Sequence, residues 1–466
     1  MSMSVDGLIS GMDTTSLINQ LLQAEAGPQT ALKTRLSKSQ MAASAYRTVN
    51  TTFAAVRAAA EALTTTAVTA ARKATTNNTA VTASATTSAV PGSSLTFSVT
   101  ALASTHSVMS NSEWASPTTD VRTQQPAWPI EILGPGGVSK GTVNVAAGAT
   151  LADAVKAIND AKIGVTAAAV KMGDGRYRLQ VTSTTPGAAG VITVKSATED
   201  AVTAGSGFVQ TSPGTDATID LGGGLTATSS SNTFADLLTG VSVTVSKIDP
   251  TPITVSVASD TDAAASKMQT LVDAINSALT NVKTYTNTAT GSTAALKGEY
   301  AVTSLAGQLL NAVSSAVGTD GSPAQLGLQL TKDGKVTFDK AKFTAALKDT
   351  PDLVQRMVGG QVASNGPDGV VGGGDDVVAV TGLATRLFDV AKAASDSTTG
   401  SLVALANGQD LLAKDYTDRI AAWDLRLAKR KETLTRQFTA METALSSLKN
   451  QSTWLAGQIN SLPTSS

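Results

Sequence analysis

Residues 41–63, MAASAYRTVNTTFAAVRAAAEAL, place Ala42, Tyr46, Val49, Phe53, Val56, Ala60 and Leu63 at alternating spacings of four and three. That mean repeat of three and a half is the heptad seam of a helix that packs along one face. The β-branched run Thr64-Thr65-Thr66 weakens helix propensity and marks its end. Upstream, Gly27-Pro28 breaks or kinks the chain, because proline lacks an N–H and restricts the residue before it. A shorter helix precedes the break. Asp13 or Thr14 is its N-cap, and Leu17, Ile18, Leu21 and Leu22 form its apolar stripe. At the other end of the chain Ile420, Leu427, Leu434, Met441, Leu448, Leu455 and Leu462 recur every seven residues. Their companion positions include Phe438, Leu445 and Ile459, but also Asp424, Lys431 and Ser452. The spacing predicts one helix about 60 Å long at 1.5 Å per residue. It is either a member of a bundle or a partner of the N-terminal helix or of other copies of itself. The half-polar companions make a two-stranded coil weak and favour further partners.

Between these helical ends, from about 74 to 258, the period drops to two. Val81, Ala83 and Ala85 alternate with Thr and Ser, as do Leu95, Phe97 and Val99. Further short runs are Val143 and Val145, Tyr177 to Val181, Val241 to Val245, and Ile253 to Val257. One helix interrupts them at Leu151, Ala154, Val155 and Ile158, behind a Thr150 cap. A helix is expected over about 262–286. Asp333-Gly334 turns a hairpin between Leu328/Leu330 and Val336/Phe338, and Asp339 caps a short helix ending near Leu347. The fold class expected is α+β multidomain: discontinuous helical or coiled-coil legs, built from both chain ends, with β-rich heads inserted between them.

Composition narrows function. The chain of 466 residues has no cysteine, one histidine, 4% aromatic residues and 15% charged residues. Its 35 basic and 36 acidic residues leave a net charge of −1, which argues against a nucleic-acid partner. Disulfides, thiolate catalysis and Cys-containing zinc sites are excluded, and multi-His metal sites have no material. No cleavable signal peptide and no apolar run of membrane-spanning length are expected.

The apparent catalytic strings lack their context. Gly137-Val138-Ser139-Lys140-Gly141 matches a nucleophile elbow but precedes a strand where the elbow needs a helix, so a hairpin turn is expected. His106 lies in a Ser/Thr-rich stretch and reads as structural. Asp368 with Gly372-Gly373-Gly374-Asp375-Asp376 lacks the ordered acid spacing of a calcium loop. Lys429-Arg430-Lys431 reads as a solvated face. The reading is no enzyme, no catalytic or metal residues and no cofactor. A hydrolase using Ser139 and His106 is the outlying alternative.

The opening string Val5-Asp6-Gly7-Leu8-Ile9-Ser10-Gly11-Met12-Asp13-Thr14, with Leu17-Ile18 and then Glu25 before Pro28, resembles the bacterial flagellar filament cap family, flagellar hook-associated protein 2. So do Gln325 to Leu328, Asp333 to Asp339 and Ala345 to Leu347, and Gln437 to Glu442 followed by Leu448 and Gln451 to Leu455. Residues 130–194 are similar to a small β-rich motif inserted in flagellins and hook-associated proteins.

The resemblance implies a secreted, extracellular protein at the flagellum tip. It would form a homo-oligomeric ring, often a pentamer, that caps the filament, promotes flagellin polymerisation and prevents loss of exported flagellin. Flagellin, hook–filament junction proteins, a cytoplasmic export chaperone and the flagellar type III export apparatus would be its partners. Cell adhesion through a glycan-binding head is the alternative. On this reading the leg comprises 1–45 and 430–466, disordered in the monomer, with Leu8, Leu17, Ile18, Leu21 and Leu22 as filament contacts. The coiled-coil stalk comprises 46–73 and 400–429, and its seam joins Tyr46, Val49, Phe53, Val56 and Leu63 to Ile420, Leu427, Leu434 and Met441. Leu445, Leu448, Leu455 and Ile459 are the expected chaperone face. The heads are expected to be a mixed α/β domain (74–107 and 255–399), a β-rich domain (108–129 and 195–254) and the inserted motif (130–194).

Overall fold

A computed structural model describes residues 11–198, 207–365 and 377–460. Leu8, most of the opening string, Leu462 and the acidic loop at Asp368 and Asp375-Asp376 lie outside those residues. The chain begins in α1 (Thr14–Glu25) and α2 (Gly27–Glu61), then enters a strand-rich region that holds one helix, α3 (Leu151–Asp160). It returns through α4 (Thr261–Tyr285), α5 (Tyr300–Ser314), α6 (Lys340–Asp349), α7 (Pro351–Val358), α8 (Leu383–Ser395) and α9 (Ser401–Asn460). The α+β class is as expected. Helices α5, α7 and α8 were not anticipated from the pattern. Two compact units result: residues 1–69 with 262–466, and residues 70–261.

The first unit is helical, and its local signals match the sequence. The Asp13 carboxylate accepts the Ser16 N–H at 2.8 Å and caps α1. Pro28 falls in the first turn of α2, the position where its missing N–H is tolerated. Every residue of the 42–63 seam is buried, and Val49, Phe53, Val56, Ala60 and Leu63 are wholly so. Their partners correct the coiled-coil reading. The seam sits in one core with Met268, Leu271 and Ile275 of α4, Phe343 of α6 and Leu387 of α8. It is therefore the spine of a globular bundle. A two-helix seam would leave that face half wet, whereas here Val49, Phe53, Val56 and Leu63 each contribute the roughly 1.5–3 kcal/mol of full burial. The Asp333-Gly334 hairpin forms in the expected register, Leu328 opposite Phe338 and Leu330 opposite Val336. It is tied to α4 by Asn276, whose amide exchanges two hydrogen bonds with the Val336 backbone at 2.8 and 2.9 Å. Asp339 then caps α6 by accepting the Lys342 N–H at 3.0 Å.

The second unit holds two apolar clusters. One is a pair of antiparallel sheets. Arg72–Thr76, Asp249–Ser259, Ser94–Ala101, Ala217–Gly222 and Leu225–Ser229 lie in that order in the first, and Thr233–Leu238, Val241–Val245 and Val81–Ala85 in the second. Phe97, Val99, Val243 and Val255 fill the space between them. The other cluster gathers Trp114, Ile130, Ile132, Leu151, Ile158 and Leu179. Its sheets join Phe208–Ser212, Thr105–Ser110, Arg176–Pro186 and Val165–Gly173, and separately Ser139–Val143, Ile130–Leu133 and Thr193–Ser196. Helix α3 packs on it behind a complete capping box between Thr150 and Asp153.

This layout redraws the expected head boundaries. Residues 262–365 and 377–399 belong to the helical unit and not to one domain with 74–107, because their apolar faces complete the α2 core. Strand Thr105–Ser110 pairs with Arg176–Pro186, so it joins the inserted motif, as does Phe208–Ser212. Residues 217–245 join the sheets of 72–101 and 249–259 instead.

A salt-bridge clamp spans the second cluster. Glu113 receives Arg176 Nε and Nη2 at 2.7 and 2.6 Å, and Arg178 Nη2 at 2.8 Å. Hydrogen bonds from Arg176, then from Arg178, hold the Glu113 carboxyl down at about 2. Because the folded value is depressed, its stabilising contribution is complete above the ordinary carboxyl range and lost as pH falls from about 4.5 toward 2. Urea midpoints of this unit are expected to fall across that window, and Glu113→Gln to flatten the fall. An unchanged pH profile in the variant would refute the clamp.

Candidate functional site: the paired terminal helices

Helices α2 and α9 pack together and run antiparallel, with α1 continuing against the far part of α9. Four polar contacts fix the alignment. Glu25 accepts Arg430 Nε at 2.9 Å, and Asp424 accepts the Gln29 amide at 2.5 Å. Ser39 Oγ bonds the Gln409 amide oxygen at 2.7 Å, and Arg47 pairs with Asp410. Gln29 and Ser39 are 5% exposed, so they occupy the seam itself. Buried polar residues that find one specific partner set register at some cost in stability. Sequence reasoning passed over them, although the signal was present. Gln29 stands midway between Leu22 and Leu36, and Ser39 midway between Leu32 and Tyr46, all at steps of seven.

Tyr46, where the helix pair meets the core, is 2% exposed and hydrogen-bonded to Glu299. Burial, reinforced by the Glu299 charge and hydrogen bond, pushes its hydroxyl up to about 12. A raised folded value makes this contribution complete below the ordinary tyrosine range and lost as pH rises through about 12.

On α9, Leu434 is buried, and Ile420, Leu427 and Met441 are half-buried along the face toward α2 and α1. Their companions differ from expectation over the first half. Gln409, Tyr416 and Trp423 turn inward, each three residues after a seam position, whereas the expected companions Asp424 and Lys431, four residues after one, are exposed. Only beyond Leu434 does the step become four, at Phe438 and Leu445. A helix of 3.6 residues per turn drifts about 20° per heptad, and the seam slides accordingly.

The predicted leg contacts divide. Ile18 is buried and lines a cavity of about 260 Å³ with Phe438, Lys431 and Glu442 of α9. Leu22 is half-buried, whereas Leu17 and Leu21 stand 37% and 44% exposed on the outer face of α1. Of the predicted chaperone face, Leu445 is half-buried and Leu448, Leu455 and Ile459 are exposed, beside an exposed Trp454. Leu448, Trp454, Leu455 and Ile459 are thus large apolar groups more than half exposed, in a helix that continues past its contact with α1.

The hydrolase constellation is not assembled. Ser139 lies in the hairpin of Ile130–Leu133 and Ser139–Val143, and its hydroxyl bonds the Glu131 carboxylate, which also pairs with Lys195 at 3.3 Å. These contacts hold Glu131 below its usual range, Ser139 first among the causes. His106 is buried. Its Nδ1 accepts the Ile192 N–H and its Nε2 faces the Gln210 amide oxygen, both at 3.3 Å. Both ring nitrogens are thus engaged, tying the strand Thr105–Ser110 to the Ile192 backbone and to Gln210 of Phe208–Ser212. Among the described residues, no helix is long and apolar enough to cross a membrane.

Comparison with known proteins agrees with this architecture. The family described as flagellar hook-associated protein 2 C-terminus matches residues 214–450, its N-terminus counterpart matches 10–106, and the flagellin hook IN motif matches 130–185. Flagellar hook-associated protein 2 of Escherichia coli strain K12 is 26% identical over 479 residues, covering 98% of each chain. The A-type flagellar hook-associated protein 2 of Pseudomonas aeruginosa is 28% identical over 359 residues, covering 69% of this chain and 70% of its own. The crystal structure of the D1–D2–D3 domains of the Escherichia coli flagellar cap protein FliD superposes with a TM-score of 0.58 at 25% identity, covering 78% of this chain and 99% of that one. With more than half its length matched by the C-terminal profile alone, the chain belongs to the flagellar hook-associated protein 2 family.

Proposed function

We propose that the chain caps the distal end of the bacterial flagellar filament, outside the cell, where it promotes flagellin polymerisation and prevents loss of exported flagellin monomers. The observation that carries this reading is the end-to-end likeness to a flagellar hook-associated protein 2, together with the shared fold of a flagellar cap protein. The adhesin alternative draws no support from these likenesses. The work is done by shape and assembly and needs no catalytic group.

On this reading the β-rich unit contributes the plate of a ring of identical copies, and α1 with the far half of α9 forms legs that meet the filament through Leu17, Ile18, Leu21 and Leu22. Their marginal packing supports that role. Helix α1 buries only Thr14 and Ile18, and residues 447–459 are exposed throughout, so these segments gain little from tertiary contacts. They order on assembly. Hydrogen exchange on the monomer is expected to be fast over 14–25 and 447–460 and slow over 42–61. Strong protection of both ends in the monomer would contradict ordering on assembly. Before export the uncovered face at Leu445, Leu448, Leu455 and Ile459 is held by a cytoplasmic export chaperone as a helix in a groove, and the chain then passes through the flagellar type III apparatus. Hook–filament junction proteins are among its partners on this reading.

Location tests the reading. Gly222, Gly223 and Gly224 form an exposed turn, all at positive φ, with open space around each. An epitope inserted there should be tolerated. Immunogold is expected at the free end of each filament. Gold along filaments, or confined to cell bodies, would reject the assignment.

A further inference from the structure

Residues 27–38 of α2 and 419–436 of α9 carry nine lysines and arginines against Asp424 and Glu432, a surplus of seven in a chain whose net charge is −1. All nine are exposed. The antiparallel pairing of the two helices, fixed by Gln29–Asp424 and Ser39–Gln409, gathers them into one belt. Two are ion-paired, Arg419 with Asp415 at 2.9 Å and Arg430 with Glu25. Within the belt the helices part over a groove of about 450 Å³. It is lined by Pro28, Ala31, Leu32, Ala422 and Trp423, of which Leu32 and Trp423 are half-buried and make the apolar floor, and by the exposed Arg35 and Arg419 at the rim. The Arg426 guanidinium lies over the Trp423 ring, 4.9 Å from its centre, so positive charge reaches the aromatic edge of the floor as well.

A net surplus of positive charge around an apolar cleft raises the local concentration of an acidic partner and speeds its capture. An apolar floor beneath a charged rim also selects for a partner that is amphipathic and not merely anionic. We propose that this groove docks an acidic amphipathic segment of another protein, whose apolar side chain enters over Trp423 and whose carboxylates meet Arg35 and Arg419. Planar guanidinium groups suit this task because they bind carboxylates in a two-point fork and still pack against apolar surface. Nucleic acid fits less well, because Trp423 is the sole aromatic lining the groove and successive bases would have nothing further to stack on. Nothing in the groove's chemistry depends on the cap assignment.

The test uses the full chain and a fluorescein-labelled synthetic helix of leucine and glutamate, with the leucines at i and i+4, followed by fluorescence anisotropy. Affinity is expected to fall at least about tenfold between low and high salt, as surface charge is screened. Arg35→Glu with Arg419→Glu is expected to weaken binding at least about tenfold. The neutral pair Arg35→Gln with Arg419→Gln should give a smaller loss in the same direction, and it guards against misfolding of the reversal. Trp423→Ala should weaken binding several-fold, and Lys449→Glu, outside the belt, should leave it unchanged. Three results would overturn the proposal. They are equal affinity in both arginine double variants and the parent, tighter binding of single-stranded DNA than of the peptide, or charge reversal that alters self-association in sedimentation and leaves peptide affinity intact.

Discussion

Phe53→Ala is expected to lower the unfolding free energy of the helical unit by about 3–5 kcal/mol, the cost of emptying a fully enclosed phenylalanine site. Phe53 is 0% exposed and lies in a core with residues from α4, α6 and α8, so the walls of the cavity belong to several rigid helices and cannot close onto it. The melting temperature should fall on the order of 10 °C for a unit of this size. Leu425→Ala, which removes a side chain 68% exposed on α9, is the matched control and should stay within about 0.5 kcal/mol. Scanning calorimetry separates these outcomes. A Phe53→Ala loss as small as the control would mean that the seam is not the spine of the core.

The second large effect concerns recognition and leaves folding untouched. Leu448→Asp combined with Leu455→Asp places two carboxylates on the uncovered face of α9. Both leucines are more than half exposed, so the isolated protein should keep its calorimetric profile. A groove that accepts an apolar helical face would have to bury those charges, and a few such anchors carry most of the binding energy at an interface. Binding of the cognate export chaperone, followed by titration calorimetry, is expected to be abolished, and secretion of the variant to drop with it. Unaltered chaperone affinity would remove Leu448 and Leu455 from that face.

How far the sequence reached depended on the range of the interaction. Period and caps are local, so Asp13, Thr150 and Asp339 were legible as N-cap positions and the 42–63 seam as a buried face. What the seam packs against was not legible. The core around Phe53 is completed by residues more than two hundred positions away, and a repeat of three and a half describes a bundle spine as well as it does a coiled coil. The sheets show the same limit. Alternation marked Val81–Ala85 and Val241–Val245 as strands, but their mutual pairing spans about 160 residues and left no local trace. Gln29 and Ser39 escaped for another reason. Their polarity is that of surface residues, and only the steps of seven to Leu22, Leu36, Leu32 and Tyr46 place them in the seam. Trp423 was displaced from the expected companion by one residue, because the helix drifts against a strict heptad.

The central claim is that this chain caps growing filaments, and a deletion strain of the native bacterium tests it most directly. Flagellin in the culture medium and filaments on the cells are measured with and without the restored gene. The account predicts that the deletion strain releases unpolymerised flagellin and lacks full-length filaments, and that the gene supplied in trans restores them. Normal filaments on deletion cells, with no excess flagellin in the medium, would contradict it.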